Sequence, residues 1–201
     1  MNKGLMIVIS GPAGSGKGTV NAHLLRTGDF AFSVSATTRA PRPGEIDGVN
    51  YHYITREEFL RRIESGDMLE YTQYCGNYYG TPLKEAEEVL NTGKHLILEI
   101  EVEGARNVKA RYPDALLILL LPPSFAVQEQ RLRGRGTETE EKILERLART
   151  REELGFADCY DYVVYNRDGH DQDAAGEILS ILRAEQCSMK RNRDIVNTYF
   201  N

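Results

Sequence analysis

Leu5-Met6-Ile7-Val8-Ile9, followed after one residue by Gly11-Pro12-Ala13-Gly14-Ser15-Gly16-Lys17-Gly18-Thr19, decides the fold. An apolar run, a glycine-rich loop ending in lysine and a helical pattern form the strand–loop–helix unit in which G-x-x-x-x-G-K grips phosphate. The glycines let backbone N–H groups converge on phosphate oxygens, and the helix that follows adds its positive N-terminal end. Lys17 supplies a mobile cation for the outer phosphates. The usual pattern has Ser or Thr directly after the lysine to hold Mg²⁺. Here Gly18 stands there, so Thr19 is the candidate metal-side residue, either directly or only through water. A glycine turn merely capping an ordinary helix would need neither the strand before it nor the lysine at this offset.

Working outward, 201 residues with 41% apolar and 27% charged content give one globular domain with a real core. A formal net charge of −5 argues against non-specific nucleic-acid binding, which leans on excess Lys and Arg. Cys75, Cys159 and Cys187 are far apart and odd in number, so neither a disulfide framework nor a structural zinc site is expected. Met1-Asn2-Lys3 runs straight into the first strand, and no apolar run approaches the ~20 residues of a membrane helix. A cytoplasmic protein without a membrane partner is the expectation.

Further strand-like runs are Leu96-Ile97-Leu98-Glu99-Ile100, Ala115 to Leu121 and Tyr162-Val163-Val164-Tyr165. Continuous apolar runs suit a parallel sheet buried on both faces, hence a three-layer α/β/α domain. Helix punctuation is legible. Thr55 to Glu58 is a capping box for a helix stopping near Gly66, and Thr81-Pro82 reads as N-cap and first-turn proline for one closed by Gly93. Ser124 caps a helix ending at Gly134, and Thr137 to Glu140 is another capping box. The helix after it is expected to bury Ile143, Leu144, Leu147 and Leu154 on one face. Asp171 to Ala184 reads as the final helix, with a basic and polar tail from Lys190. Ser35 to about Gly80, rich in Tyr, Thr, Gly and Pro, breaks the alternation and reads as a small β-rich insertion.

That insertion carries Ser33-Val34-Ser35-Ala36-Thr37-Thr38-Arg39-Ala40-Pro41-Arg42-Pro43-Gly44-Glu45, Gly48-Val49-Asn50-Tyr51, Glu70-Tyr71 and Gly76-Asn77-Tyr78-Tyr79-Gly80-Thr81-Pro82. Two arginines three apart beside a proline-fixed turn can fork one phosphate group, and tyrosine hydroxyls can add neutral hydrogen bonds. An ionised Glu70 accepts only, which suits a base edge with two N–H donors such as guanine N1 and N2. Hydroxyls at Ser35 and Thr81 could meet guanine O6 or N7.

These strings resemble guanylate kinase, from about Leu5 to about Arg183, including Arg131-Leu132-Arg133-Gly134-Arg135-Gly136-Thr137-Glu138 and Val163-Val164-Tyr165-Asn166. T-T-R-x-P-R followed by G-N-Y-Y-G carries the likeness; the glycine loop alone would not separate it from other nucleoside monophosphate kinases. The resemblance implies a P-loop kinase fold with a parallel central sheet, a GMP-binding insertion and a mobile lid. It divides the single domain into a core of 1–34, 82–123 and 152–190, an insertion of 35–81, a lid of 124–151 and a tail of 191–201. It implies ATP + GMP ⇌ ADP + GDP with Mg²⁺. Arg39, Arg42, Tyr51 and Tyr79 would hold the GMP phosphate, and Ser35, Glu70, Thr81 and Glu101 would read guanine. Residues 11–19 would hold ATP, Arg135 and Arg146 would reach the transferring phosphate with Arg131 as a third, and Asn166 would lie on the nucleotide side. Glu101 stands where the family often has Asp.

Other readings stand beside these. Tyr78 is expected in the core and Tyr79 at the ligand. Glu99 either orients Lys17 or metal waters, or satisfies backbone donors. Arg149 and Arg151 are expected on a solvated helix face, and the four histidines in structural roles. The rival functions are a kinase for another monophosphate or a phosphorylated sugar, and a non-catalytic guanylate-kinase-like binding module.

Overall fold

The computed structural model describes residues 3–74, 76–136 and 139–200. In chain order these form β1 (Met6–Ser10), α1 (Lys17–Arg26), β2 (Phe30–Phe32), β3 (Ala36–Thr37), β4 (His52–Tyr53), α2 (Arg56–Glu64), β5 (Met68–Tyr74), β6 (Asn77–Pro82) and α3 (Leu83–Asn91). There follow β7 (His95–Leu98), α4 (Val102–Arg111), β8 (Leu116–Leu121), α5 (Phe125–Gly134), α6 (Glu140–Leu154), β9 (Tyr162–Tyr165), α7 (Asp171–Gln186) and α8 (Ile195–Phe200).

The main sheet has the order β2-β7-β1-β8-β9 and is parallel throughout. Strands β1, β7 and β8 read as unbroken apolar runs because both faces are covered, and the alternation of side chains sorts them between two cores. The edge strands β2 and β9 instead leave Phe32, Val163 and Tyr165 exposed, against the expectation that the Tyr162–Tyr165 run is buried on both faces. Ile7, Ile9, Ile97, Leu116, Ile118 and Leu120 face Val20 and Leu24 of α1 and Ile178 and Leu182 of α7. Met6, Val8, Leu96, Leu98 and Leu117 face Ala86 and Leu90 of α3 and Ala105 and Val108 of α4. The result is the expected three-layer α/β/α sandwich. The strand β2 leaves no mark in the sequence pattern, because Phe-Ala-Phe is too short to show a period.

A second sheet, ordered β4-β3-β6-β5, is built from the β-rich insertion, with β5 and β6 antiparallel. Ala36, Phe59 of α2 and Met68 form its small core. Thr55 caps α2, accepting from the Glu58 amide, but the expected box is not closed, because the Glu58 carboxylate accepts from Arg61 and Arg62 instead; Ser124 caps α5 by accepting from the Val127 amide. Tyr78 packs into this core, stacked on Phe59 at 5.3 Å.

Four further sequence readings need correction. Thr81 does not cap α3: it lies in β6, Pro82 occupies the cap position, and the Thr81 hydroxyl is spent on Glu70. The helix α6 begins at Glu140 with Thr139 at its N-cap, not at a box opened by Thr137; Thr137 and Glu138, like Cys75, lie outside the described residues. Its buried stripe is Ile143, Leu147 and Thr150, packed on Leu132 and Gln128 of α5, while Leu144 and Leu154 are exposed. A hydroxyl at position 150 hides this stripe from a reading of hydrophobic period alone. Finally, α7 is followed by the short α8, which has no buried residue, and the chain between them is held where Arg191 donates to Glu185 and to the Asp114 carbonyl.

Candidate active site

The site lies beyond the carboxyl ends of the parallel strands, where β1, β7, β8 and β9 each deliver a loop to the same side of the sheet. The loop after β1 is the glycine-rich segment. Gly11 lies so close to β8 that a Cβ there would stand 2.1 Å from the Leu120 carbonyl oxygen. Gly16 has φ 86°, and a Cβ would stand 2.2 Å from Asn166 Nδ2. Only glycine satisfies both the left-handed backbone and the approach.

Side chains brace this loop through three successive carbonyls. Gln128 Nε2 donates to Ala13 O at 2.9 Å, Arg131 Nη1 to Gly14 O at 3.1 Å and Asn166 Nδ2 to Ser15 O at 2.9 Å. Arg131 also donates to Asn166 O at 2.8 Å and to Asp168 at 2.7 and 2.9 Å. The guanidinium of Arg131 is therefore committed to the loop and to the β9 end. Inside the loop, Lys17 Nζ folds back to donate to Gly11 O at 2.5 Å. Burial pushes the Lys17 ammonium below its ordinary range, while Glu99, Glu153 and Glu101 act against that and Arg135 adds to it. The Ser15 hydroxyl is buried without a hydrogen-bond partner. Leaving such a group unpaired costs about 1–3 kcal/mol, so the loop is shaped for an acceptor such as a phosphate oxygen.

The lysine opens on a cavity of about 530 Å³ walled by the loop, by Glu99 to Val102 and by Lys142, Glu145, Arg146, Arg149 and Glu153 of α6. Ser10 Oγ donates to Ile100 O at 2.8 Å and ties the two walls together. Glu99 Oε2 accepts from Asn21 Nδ2 at 3.0 Å, so this carboxylate orients a buried asparagine of α1 and contributes its field at Lys17. Thr19 is exposed on the first turn of α1. Arg135 is the C-cap of α5, near enough to influence Lys17 electrostatically.

A second cavity, about 390 Å³, gathers Ser35, Tyr51, Glu70, Tyr79 and Glu101 with Thr72, Gln73, Glu103 and Gly104. Glu70 is only 5% exposed, and burial raises its carboxyl to about 7 although the Thr81 hydroxyl, donating at 2.8 Å, and the Thr81 backbone lower it. Gly104 of α4 makes room for it: a Cβ there would meet Glu70 Oε2 at 3.1 Å. Thr81 thus serves the cavity through Glu70. Tyr79 stands edge-on to Tyr51, ring centres 6.0 Å apart.

Arg39 and Arg42 do not share a fork in this arrangement. Arg39 makes a two-point pair with Glu45 at 3.0 and 3.0 Å, Tyr53 donates to the same carboxylate at 2.8 Å, and Arg42 contributes its backbone N–H to it at 2.7 Å. Arg39 also lies over the Tyr51 ring at 5.5 Å. The Glu45 carboxylate, held well below its usual range chiefly by Arg39, sits in the guanidinium fork that suits any planar or tetrahedral oxyanion. The side chain of Arg42 is exposed.

The two cavities share Glu99, Ile100, Glu101 and Arg149, so they communicate at one junction. Arg149 is exposed, as expected of a solvated helix face, and it also lines both cavities, where one Nη of its guanidinium pairs with Glu101. Arg151 instead lies over the Phe125 ring at 5.6 Å. Asn21, Gln128, Glu153 and Gly104 also escaped the sequence reading, since each is an ordinary polar or small residue until packing aims it. Among the described residues no group of three or more His, Cys, Asp and Glu could by itself hold a metal, and no helix is long and apolar enough to cross a membrane.

A parallel sheet with a braced glycine loop, an inward lysine and a second cavity opening onto the first defines a phosphate-gripping α/β protein of the P-loop kinase class. The guanylate kinase family model matches residues 3–184. Similar proteins include the guanylate kinase of Clostridium tetani (strain Massachusetts / E88), 47% identical over 196 residues, covering 98% of this chain and 93% of that one. That of Halalkalibacterium halodurans is 50% identical over 190 residues, covering 94% and 92%. A crystal structure of guanylate kinase from Anaplasma phagocytophilum superimposes with a TM-score of 0.75 at 32% identity, covering 100% of this chain and 97% of that one. The chain belongs to the guanylate kinase family.

Proposed function

We propose that the protein transfers the outer phosphoryl group of ATP to GMP, giving ADP and GDP, by direct in-line displacement. The observation that carries this reading is the junction: a cavity floored by Lys17 and the glycine loop opens beside one floored by the buried carboxylate Glu70. Triphosphate in the first and a keto-amino purine in the second would bring donor and acceptor phosphates face to face. In this reading the chain is one domain with the core, insertion, lid and tail bounds given above.

Residues 11–19 cradle the ATP phosphates, with the Ser15 hydroxyl and Lys17 among the donors. Ser35, Glu70 and Glu101 read guanine, with Thr81 orienting Glu70, and Arg39, Arg42, Tyr51 and Tyr79 take the GMP phosphate. Glu45 must then yield Arg39 to that phosphate, one oxyanion replacing another. The acceptor oxygen is already deprotonated near neutral pH, so no general base is needed. Alignment and charge neutralisation do the work, through Lys17, Arg39, Arg135 and Arg146. Arg131 acts by holding the loop's shape from its position behind Gly14 and Ser15.

The donor set fits Mg²⁺, a cation that keeps several waters and takes only one or two protein groups alongside substrate phosphates. The Thr19 hydroxyl and the Glu99 and Glu101 carboxylates are the residues that would hold it, directly or through water. The chemistry Mg²⁺ supplies when bound is neutralisation of the outer phosphates.

A panel of AMP, GMP, CMP and UMP with ATP and Mg²⁺, read as ADP release, tests the reading. ADP formation dependent on GMP above the other three is expected. Equal use of all four would remove Glu70 from base recognition, and no acceptor-dependent turnover would leave a binding module. Lys17→Ala should abolish turnover and leave GMP binding intact; calorimetry showing lost GMP binding would mean the two cavities are misassigned.

A further inference from the structure

We propose that Arg149 is a switchable cation: Glu101 and Glu153 hold it in the arrangement seen here, and it passes to the phosphoryl group in transit when both nucleotides are bound. The inference deepens the phosphotransfer reading and rests on it.

Four residues line both cavities, and Arg149 is the cation among them. A phosphoryl group moving from the triphosphate side to the monophosphate side has to cross this junction. Arg149 comes from α6, whereas Glu99, Ile100 and Glu101 come from the segment between β7 and α4. Its orientation follows from packing. The stripe Ile143, Leu147 and Thr150 fixes the rotation of α6, and that rotation aims positions 142, 145, 146, 149 and 153 at the first cavity.

The guanidinium is held by carboxylates on two sides, Glu101 at one Nη and Glu153 Oε1 3.3 Å from Nε. The hold is weak. The side chains of Arg149 and Glu101 are 43% and 61% exposed, and ion pairs this exposed favour the paired state by about fivefold at most. A phosphoryl group carrying more charge and three oxygens is a better partner for a planar fork than one carboxylate. Release also has a use at the other end, since Glu101 lines the purine cavity and, once free, can accept from an exocyclic amine. Arg149 therefore competes with the purine for Glu101 before transfer and stabilises charge during it. The half-buried Glu153, whose carboxyl burial raises and Arg149 lowers, gives the cation a place to return to.

The test is steady-state kinetics of Arg149→Gln and Arg149→Lys with ATP, Mg²⁺ and varied GMP, beside thermal melting of each. Arg149→Gln should lower kcat by about tenfold or more, a share of the ~10³-fold or more that a transition-state arginine can supply. Its KM for GMP should stay level or fall, because Glu101 has lost its competitor. Arg149→Lys should melt like the parent and recover part of kcat, as a point charge replaces a fork. A kcat within twofold of the parent in Arg149→Gln, or any rise in KM for GMP, overturns the proposal. If Arg149→Gln melts early, Arg149→Lys decides: a reduced kcat at unchanged GMP affinity supports the exchange, and an unchanged kcat ends it. Failure of the underlying reading looks different, as the parent protein itself would then show no GMP-dependent ADP release.

Discussion

Glu70 concentrates the cost of the site at one residue. A carboxyl raised from an ordinary 4.5 to about 7 by burial binds protons more tightly folded than unfolded. Its neutral form supports the fold fully below pH 4.5, and that support is lost as pH rises through 7. Two and a half pH units correspond to about 3 kcal/mol. Glu70→Gln should therefore be more stable than the parent at pH 8 by an amount of that order and nearly equal at pH 4.5; parallel denaturation curves at both pH values would contradict it. The same variant should lose GMP affinity by on the order of 10²-fold, because on the proposed base reading an amide would face the guanine donors. Gly104 shows the matching geometry. Alanine is the better helix former by about 1 kcal/mol, yet its methyl group would press on Glu70 Oε2 and Ile100. Gly104→Ala should keep its melting temperature and raise the KM for GMP about tenfold, a change of about 1.4 kcal/mol; an unchanged KM would mean the carboxylate has room to move. Glu70 was legible because a lone carboxylate stands in a strand of Tyr and Thr. Gly104 was not, since a glycine in a helix announces a close neighbour without naming it.

Among the elements, the loop and its braces illustrate how far a motif reaches. The glycine spacing gives the loop's conformation, but the groups that lock it come from α5 and from the end of β9, more than a hundred residues away. Removing Asn166 Nδ2 leaves a buried Ser15 carbonyl short of its best donor, a loss of about 1–3 kcal/mol. Asn166→Ala is thus expected to weaken ATP binding while GMP binding holds, and calorimetry with each nucleotide separates the two; equal losses would make the effect global. Gln128 matters for a further reason. It donates to Ala13 O and, at 2.7 Å, to Thr150 of α6, joining the phosphate loop to the helix that carries Arg146 and Arg149. Capping hydroxyls were read correctly at Thr55 and Ser124, and misread at Thr81, whose hydroxyl a buried carboxylate claims. Thr55→Ala should cost about 1 kcal/mol of stability with no change in turnover.

At the scale of the molecule, two cavities meet at a junction spanned by an exposed ion pair between α6 and the β7–α4 segment. Water competes with GMP as acceptor, so the segments around the cavities should close when both nucleotides bind. Small-angle scattering should report a smaller radius of gyration with GMP and a non-hydrolysable ATP analogue together than with either alone; no compaction would end the idea of closure. What the sequence by itself determined was local and periodic: the strand–loop–helix unit and the apolar central strands of a doubly covered sheet, beside the arginines, tyrosines and carboxylate on which the proposed anion and base sites rest. Each of these rests on spacing within a few residues or on a period that one element fixes. The tertiary structure decided which polar side chains face inward and what they meet: Asn166, Gln128 and Arg131 on the loop, Gly104 beneath Glu70, Glu45 in the fork of Arg39, and Arg149 between the cavities. Such pairings join residues far apart in the chain, and the rotation of a helix about its own axis, set by packing against its neighbours, selects them.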